Sequence, residues 1–319
     1  MSPASPTVEP TTTPDLERHR RALWGLCYGM TGSAADAEDL VQETFVRALE
    51  RPPADGTRAL GPWLVTVAAN LARDALRRRK RRRYVGPWLP APVDDELAPA
   101  VEIEGQEGAD ARYEVVERLG FAYLVALEAL TPTQRAVVVL RDVFELSVEE
   151  TARTHALTVP NVKTTHHRAR AALAAHGARE RDRASLDVAT AAIQRFAVGL
   201  ATASLDEVLA ALAPDVTTTN DGGGEVHAAL KVVRGADRVA RLHLGLQRRR
   251  MSAGPGRFEL RLVGGLPALV AELPPGPPRE AGRVVMLFDV AADGRIRAIH
   301  TVLASSKLTH VRWPAPVEA

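Results

Sequence analysis

The residues between Thr158 and Leu173 include a dense set of side chains that can hydrogen-bond to nucleic acid. They are, in chain order, Asn161, Lys163, Thr164, Thr165, His167, Arg168 and Arg170. A largely apolar stripe repeats at helical spacing through the same residues: Val159, Val162, His166, Ala169 and Leu173. Amides, hydroxyls and guanidinium groups bind base edges and phosphates, and a helix of this kind fits the major groove of DNA. The segment therefore predicts a helix that reads DNA.

A reading helix needs a supporting helix, and the residues before Thr158 predict one. Ser147 and Glu150 have the spacing of a capping box at its start. Thr158 can cap the reading helix, with Pro160 tolerated in its first turn. The pair predicts a helix-turn-helix, although His155 stands where packing would favour leucine and Ala156 where the tight turn would favour glycine. The alternative interpretation is a surface helical hairpin with a solvated cationic face.

A second cationic group lies on the helix predicted from Pro62, which ends in the basic run 77–83. Such a run can neutralise phosphates, a contact that adds salt-dependent affinity without sequence information. Its alternative interpretation is a solvated helix end that complements the helix dipole. The repeat of Asn70, Arg73, Asp74 and Arg77 on one stripe, opposite an apolar stripe that runs from Trp63 through Val67, Leu71 and Ala75, favours nucleic acid.

Residues 36–43 place four carboxylates in the first turns of another predicted helix. The helix dipole stabilises acids at this end, which is a sufficient structural explanation. The functional interpretation is a protein-binding face that seeks a basic partner.

Catalytic, metal and cofactor sites are not expected. The nine histidines are scattered, and the glycines after Asp221 lack the spacing and the Lys-Ser/Thr of a phosphate loop, so they favour a flexible turn. The single cysteine, Cys27, excludes an intrachain disulfide and is expected to be a small buried hydrophobe. No apolar run reaches the roughly 18 residues of a membrane span, and the Pro/Thr-rich start lacks a signal-peptide core. We expect a cytoplasmic protein without membrane partners.

A chain of 319 residues with a net charge of +2 suggests two or three domains. We expect a disordered tail (1–14), a helical domain (15–85), a Pro-rich and then acidic linker (86–111), a second helical domain (112–178) and an α+β domain (185–313). The last is predicted from helices at 185–199, 205–212 and 236–249, followed by four alternating, strand-like segments after residue 257. Asp293-Gly294 predicts a hairpin turn between the last two strands.

The order of these parts resembles the extracytoplasmic-function (ECF) sigma factors of the sigma-70 family. The resemblance rests on DAEDLVQETFVRAL (36–49), PWLVTVAANLARDALRRRKRR (62–82), LTPTQRAVVVLRDVFELSVEETA (130–152) and VKTTHHRARAAL (162–173). YVGPWLPAPV (84–93), DGGG (221–224) and the α+β tail are similar to the subgroup with a fused, cone-shaped SnoaL-like (NTF2-like) domain. Two positions differ from the family, which usually has lysine where Glu225 stands and often has arginine at Ala69.

The resemblance implies two all-α sigma domains, region 2 and a region 4 with a helix-turn-helix, followed by the SnoaL-like domain. It implies binding to core RNA polymerase through Asp36, Glu38, Asp39, Gln42, Glu43 and Phe45. It implies binding to a melted −10 promoter element through Asn70, Arg73, Asp74, Arg77 and Arg78, with the loop 51–61 forming a pocket for an unstacked base. It implies binding to a duplex −35 element through Thr158, Asn161, Lys163, Thr164, His167 and Arg168. The acidic linker would thread towards the polymerase active-site channel.

The same resemblance implies that the tail regulates the sigma factor in cis, in place of a separate anti-sigma factor. The expected contact joins Trp88, Leu89 and Pro90 to Asp221, Gly222, Gly223 and Gly224, together with the segment around Lys307. A small ligand in the tail's cavity is a further expected partner, because this fold hosts enzymes as well as binding modules. Two alternatives stay open: a ligand-sensing helix-turn-helix regulator that is not a sigma factor, and an enzyme carried on a DNA-binding module.

Overall fold

The computed structural model describes residues 13–51, 60–81, 84–94, 119–250, 254 and 256–315. The chain divides into two compact units. The first, here the helical unit, contains residues 1–82, 99–119 and 127–172; the second, the sheet unit, contains residues 83–98, 120–126 and 173–319. The predicted tail up to residue 12, most of the predicted loop and the acidic part of the predicted linker lie outside the described residues, while residues 13 and 14 of the predicted tail lie in the first helix. Every described helix is too short or too polar to span a membrane.

The helical unit begins with α1 (Thr13–Glu17), α2 (Arg20–Thr31), α3 (Ala34–Glu50) and α4 (Leu60–Arg81). Ser33 caps α3 by accepting a hydrogen bond from the Asp36 amide, and α2 ends at Gly32, whose positive φ suits glycine. Cys27 is fully buried, as predicted. The buried face of α4 is one residue out of step with our expectation: Leu64, Ala68, Ala72 and Leu76 are in the core. The predicted stripe from Trp63 to Ala75 is only half-buried, because it borders this core.

The second part of the helical unit contains α5 (Phe121–Leu127, shared with the sheet unit), α6 (Pro132–Val138), α7 (Val148–His155) and α8 (Val159–Arg181), whose residues from Leu173 on belong to the sheet unit. Both predicted capping boxes are confirmed, Thr131 with Gln134 on α6 and Ser147 with Glu150 on α7. A π-helical turn, Val139–Val143, follows α6, and sequence periodicity did not predict it. α8 continues past Leu173 to Arg181, beyond the predicted reading helix.

The sheet unit contains α9 (Leu186–Ala201), α10 (Leu205–Ala211) and α11 (Ala236–Arg250). Its six strands are β1 (Leu212–Asp221), β2 (Val233–Arg234), β3 (Arg257–Val263), β4 (Leu266–Glu272), β5 (Arg283–Val290) and β6 (Ile296–Val302). They lie in the order β2-β1-β6-β5-β4-β3. The pairs are antiparallel except β1 with β6, which run parallel. Helices followed by a mixed sheet agree with the expected SnoaL-like α+β architecture.

The two faces of this sheet are covered by different parts of the chain. Phe196 and Val239 of the helices pack with Val216, Phe288 and Ile299 on one face. On the other face, the buried side chains of Leu89, Phe121, Leu308 and Val311 pack against β3 to β6. The segment 84–94 and the start of α5 therefore belong structurally to the sheet unit.

Sequence reasoning missed β1. Its inward side chains Val216, Thr218 and Asn220 alternate correctly, but two of the three are polar, so no hydrophobic alternation marks the strand.

Candidate nucleic-acid interface

The polar face of α8 is open along its first three turns. All six side chains predicted for the −35 element are exposed: Thr158, Asn161, Lys163, Thr164, His167 and Arg168. On the opposite side, Val162 and Ala169 are fully buried, and Val162 packs with Val137 of α6 and Ala152 of α7. The helix is thus held by a narrow apolar stripe while its donors and cations face outward.

Local hydrogen bonds arrange this face. Thr158 Oγ1 accepts from the Asn161 amide at 3.4 Å and caps the helix. Asn161 Oδ1 accepts from Thr165 Oγ1 at 3.1 Å. The side-chain nitrogen of Asn161 takes no part in this hydrogen bond. An Asn side chain presented in this way has the donor and acceptor pair that matches adenine in the major groove.

The turn between α7 and α8 is made by Ala156 in the left-handed conformation (φ 51°, ψ 44°). Its amide donates to the carbonyls of Ala152 and Arg153 and so ends α7. Glycine adopts this conformation without strain, whereas the Cβ of alanine opposes it. The sequence predicted that this turn would favour glycine over Ala156. The structure has the predicted helix-turn-helix, with a strained turn at Ala156.

An acidic residue that sequence reasoning missed fixes the orientation of α8. Asp142, on the π-helical turn, lies 2.6 Å from His166 Nε2 and 3.2 Å from Arg170 Nε. His166 was predicted to be part of the apolar stripe, and it is instead half-buried in this polar contact. The π-helical turn Val139–Val143 is thus the segment from which this carboxylate reaches α8.

On α4, the predicted −10 residues divide into two groups. Asp74, Arg77 and Arg78 are exposed. Asn70 and Arg73 are half-buried and bonded to α7: Asn70 Nδ2 donates to the Thr154 carbonyl at 3.0 Å, and Arg73 Nη1 lies 3.2 Å from His155 Nδ1. Ala69, where the family often has arginine, is fully buried.

The predicted polymerase-binding face on α3 is mostly exposed. Asp36, Glu38, Asp39, Gln42 and Glu43 all lie at the surface. Phe45 differs, because its ring is 6% exposed and is covered by the Arg20 guanidinium 4.9 Å from the ring centroid. Phe45 therefore contributes to the core beneath the acidic face.

Within the sheet unit, the predicted interdomain residues meet at one buried carboxylate. Asp221 is fully buried and accepts from Tyr84 Oη (2.6 Å), the Leu89 amide (2.7 Å), the Gly223 amide (3.0 Å) and Lys307 Nζ (2.6 Å). Lys307 also donates to the Leu89 carbonyl at 2.6 Å and lies 3.9 Å from the Trp88 ring centroid. We name Tyr84, Trp88, Leu89, Asp221 and Lys307 the Asp221 cluster.

The glycines after Asp221 allow this arrangement. Gly223 and Gly224 have positive φ, and a Cβ on Gly222 would lie 2.6 Å from the Val226 carbonyl oxygen. Pro90 follows Leu89 in the same buried stretch. The Glu225 carboxylate accepts from Ser305 Oγ (2.9 Å) and from Ser306 Oγ. It thereby holds the 3-10 turn Ser305–Lys307 that presents Lys307.

A second contact in the sheet unit was not predicted. Asp94 accepts from the Arg261 guanidinium at 3.0 Å and is 5% exposed. The hairpin turn at Gly264 accepts from the Phe121 amide at 2.8 Å and donates to the Val93 carbonyl at 3.1 Å. The turn between β3 and β4 is thereby bonded both to the segment 84–94 and to the first residue of α5.

Comparison with known proteins gives the class of the chain first. The family model of Sigma-70 region 2 matches residues 16–82, and that of Sigma-70, region 4 matches residues 121–173. α1 to α4 therefore form region 2, and α5 to α8 contain region 4, of a sigma-70 protein.

The particular family follows from relatives that match nearly the whole chain. The ECF RNA polymerase sigma factor SigJ of Mycobacterium tuberculosis is 36% identical over 314 residues, 92% of each chain. SigI of the same organism, named a probable ECF RNA polymerase sigma factor, is 29% identical over 297 residues, covering 92% of this chain and 93% of SigI. The crystal structure of SigJ matches with a TM-score of 0.69 at 29% identity, over 94% of this chain and 99% of that one. The chain belongs to the ECF sigma factors, which bind core RNA polymerase and promoter DNA. The alternative of a regulator outside the sigma family is not supported.

Proposed function

We propose that this ECF sigma factor reads the −35 element in duplex form with α8 and the melted −10 element with α4. The observation that carries the proposal is the set of six exposed polar side chains on α8, opposite a fully buried stripe. In this assignment Asn161, Lys163 and Arg168 supply the base and phosphate contacts. Asn70 and Arg73, with the exposed Asp74, Arg77 and Arg78, serve the −10 element. The exposed acids of α3 bind the polymerase clamp, and Phe45 supports them from the core.

Run-off transcription tests this proposal directly. Full-length protein is mixed with bacterial core polymerase and a template carrying the promoter upstream of its own gene. Start-site-specific transcripts that disappear when Asn161 and Arg168 are both replaced by alanine would support the −35 assignment. Lys231→Ala is the matched control, because it removes an exposed cation from the sheet unit. Equal loss of transcripts in the control would argue against a role for α8 itself.

We further propose that the sheet domain regulates the sigma factor in cis through the Asp221 cluster, without a separate anti-sigma factor. The cluster bonds the segment 84–94, the start of the region 2 to region 4 linker, to the sheet unit. A linker bonded in this way is not available to thread into polymerase. Lys307→Met keeps the bulk of the side chain and removes its charge from Asp221 and from the Leu89 carbonyl. We expect more transcript than wild type from core polymerase alone; an unchanged yield would contradict cis regulation by this contact.

The interior of the sheet domain supports a proposal about a ligand. Thr218, Asn220, His243 and Thr301 form an interior polar cluster, each at most 5% exposed. Asn220 and Thr301 are directly paired on β1 and β6, and among the described residues Asn220 Nδ2 and Thr301 Oγ1 find no hydrogen-bond partner. Buried donors without acceptors are costly. We propose that they bind a small, mainly apolar molecule through a carbonyl or similar acceptor. None of the four side chains is a carboxylate, so we propose binding rather than catalysis.

Native mass spectrometry and a thermal-shift screen of small carbonyl compounds test this ligand proposal. The control is the double variant Asn220→Leu with Thr301→Val, which replaces the unpaired donors by apolar groups. A bound molecule that the double variant fails to bind would support the site. Turnover of any bound compound would contradict the binding-only assignment, and water alone at the site would contradict the ligand.

A further inference from the structure

Strand β3 lies at one end of the sheet and has a free edge. It pairs with β4 on one side, and among the residues that the structure describes no strand pairs with its other side. The turn between β3 and β4 consists of Gly264 and Gly265, whose φ angles are 54° and 72°. Two central residues with positive φ make a type I′ hairpin turn. The flanking residues Val263 and Leu266 are directly paired, and in such a hairpin they exchange both backbone hydrogen bonds.

This turn decides which backbone groups of β3 face the free edge. Orientation alternates along an antiparallel strand, so the odd-numbered residues, like Val263, bond to β4. The amides and carbonyls of Phe258, Leu260 and Leu262 therefore point towards the free edge. Within the described part of the chain, none of these three residues has a backbone hydrogen bond to another segment.

The side chains of the same three residues form an apolar row on one face of β3. Leu260 packs against the core beneath the helices α9 to α11, whereas Phe258 is 57% exposed and Leu262 is 40% exposed. The charged residues of β3 lie on its other face and are paired within the sheet unit, so they do not protect the edge. An apolar edge strand with unpaired backbone groups is a template for a further strand.

The sequence of β3 is complementary to itself when two copies run antiparallel. Its central stretch reads FELRL, with apolar side chains at both ends and at the centre, and one acid and one base between them. A two-fold axis through Leu260 places Phe258 opposite Leu262 of a second copy. The same axis places Glu259 opposite Arg261 of the second copy, and cross-strand pairs of opposite charge stabilise a sheet.

We propose that β3 binds β3 of a second copy of this chain, in a two-fold symmetric dimer whose axis passes through Leu260. The two strands exchange about six backbone hydrogen bonds, because all three residues that face the edge meet a residue that faces it. The apolar rows join across the axis and cover Phe258 and Leu262. A second copy fits this edge better than an unrelated strand, because one register satisfies the backbone, the apolar row and the charges together. One strand pair buries less area than a standard interface, so we expect a dissociation constant of about 10 μM.

Sedimentation velocity of the full-length chain, at concentrations from about 1 to 100 μM, tests the dimer. We expect Phe258→Lys to weaken it at least about tenfold, because a charge then faces Leu262 of the second copy without a partner. Leu262→Glu should have the same effect. An equimolar mixture of the two variants should dimerise at least as well as wild type. The introduced lysine then faces the introduced glutamate, and the native pair of Leu262 with Phe258 is kept on the other side of the axis.

Val198→Lys is the matched control, because Val198 is an exposed apolar residue of α9, away from β3, and it should leave the dissociation constant unchanged. Equal weakening by this control would overturn the assignment to β3, and a mixture that stays monomeric while both variants are folded would overturn the register. Wild-type protein that is monomeric at every concentration would overturn the dimer, and this measurement does not depend on how the variants fold. If Phe258→Lys then also lowers the melting temperature, another segment of the same chain covers the strand.

Discussion

The two helices assigned to promoter DNA, α8 and α4, differ in what lies against their polar faces. On α8 all six predicted contact residues are exposed, and only the apolar stripe is packed. On α4 the matching stripe is partly bonded to α7 through Asn70 and Arg73. A polar stripe in a sequence can therefore predict a candidate DNA-binding helix, but it does not tell whether that face is exposed in the folded chain.

The difference has a physical origin in the residues that hold each helix. α8 is oriented by Asp142, which binds His166 and Arg170 at the edge of the polar face and leaves its centre open. α4 has a full core face through Leu64 and Leu76 and a second, half-buried face against region 4. The polar face of α8 is thus exposed, whereas Asn70 and Arg73 of α4 already have partners within the helical unit.

The largest effect is expected when two polar side chains are removed from the exposed face of α8. Replacing Asn161 and Arg168 by alanine deletes one amide and one guanidinium, each worth about 1–3 kcal/mol against the correct base pair. We expect at least a roughly 30-fold loss of affinity for −35 duplex DNA, measured by fluorescence anisotropy with holoenzyme. Because α8 is solvent-exposed at both positions, the melting temperature should not change; a large drop in it would mean that the two residues support the fold.

The second prediction concerns the ion pairs that join α4 to region 4. Glu128 pairs with Arg79 of α4 and with the nearly fully buried Arg135. Glu128→Gln removes the charge that both guanidinium groups face, and we expect a loss of about 2–3 kcal/mol in the free energy of unfolding. Urea denaturation measures it. Glu149→Gln, an exposed carboxylate on α7, is the control and should change stability by no more than about 0.5 kcal/mol.

Much of this arrangement could be predicted from local sequence signals. The capping boxes at Thr131 and Ser147 fix where α6 and α7 begin, and the Asp293-Gly294 turn fixes the hairpin between β5 and β6. The exposed face of α8 follows from its helical spacing. Each of these features depends on residues within a few positions of one another, which is why sequence alone carries them.

What could not be predicted depends on partners that are distant in sequence. Asn70 and Arg73 have the composition of a DNA contact, and nothing local marks Thr154 and His155 as their partners, 84 and 82 residues away. β1 was missed for a different reason, because its buried side chains Thr218 and Asn220 look like a surface strand or loop. Sequence patterns misplace residues whose polar groups bond to partners distant in sequence, and residues whose buried polar groups we propose to bind a ligand.

The third prediction concerns the pH dependence of the contact between α4 and His155 of α7. Burial, with smaller contributions from Arg73 and Arg77, lowers the pKa of His155 to about 4. A histidine released into water titrates near 6.5, so the contact is fully stable above that pH and loses stability as the pH falls towards 4. At pH 5 the loss approaches about 1–2 kcal/mol. Fluorophores on cysteines introduced at the exposed Ala35 of α3 and Ala171 of α8 measure this, because Cys27 is buried. The distance between the two dyes should lengthen from pH 7.5 to 5 when His155 is present and stay constant in His155→Leu.

Low pH also affects other buried histidines, so the experiment needs a control for unfolding. Burial lowers the pKa values of His243 and His300 in the sheet unit to about 4 as well. Circular dichroism at each pH must therefore show that the chain is still folded when the distance changes. A distance that lengthens equally in His155→Leu would assign the pH response to groups other than His155 and contradict the role given to this contact.

The smallest effect concerns the turn that joins α7, which contacts α4, to α8, whose polar face is exposed. Ala156 is left-handed at φ 51°, which costs alanine about 1–2 kcal/mol and glycine little. After the larger chain entropy of unfolded glycine is subtracted, Ala156→Gly should stabilise the protein by about 1 kcal/mol in urea denaturation. Ala171→Gly, in the exposed helical part of α8, should destabilise it by a similar amount. Affinity for −35 duplex should be unchanged in Ala156→Gly, because the strain lies in the turn while Asp142 and Val162 orient α8; a weaker affinity would mean that the strained turn itself positions the reading helix.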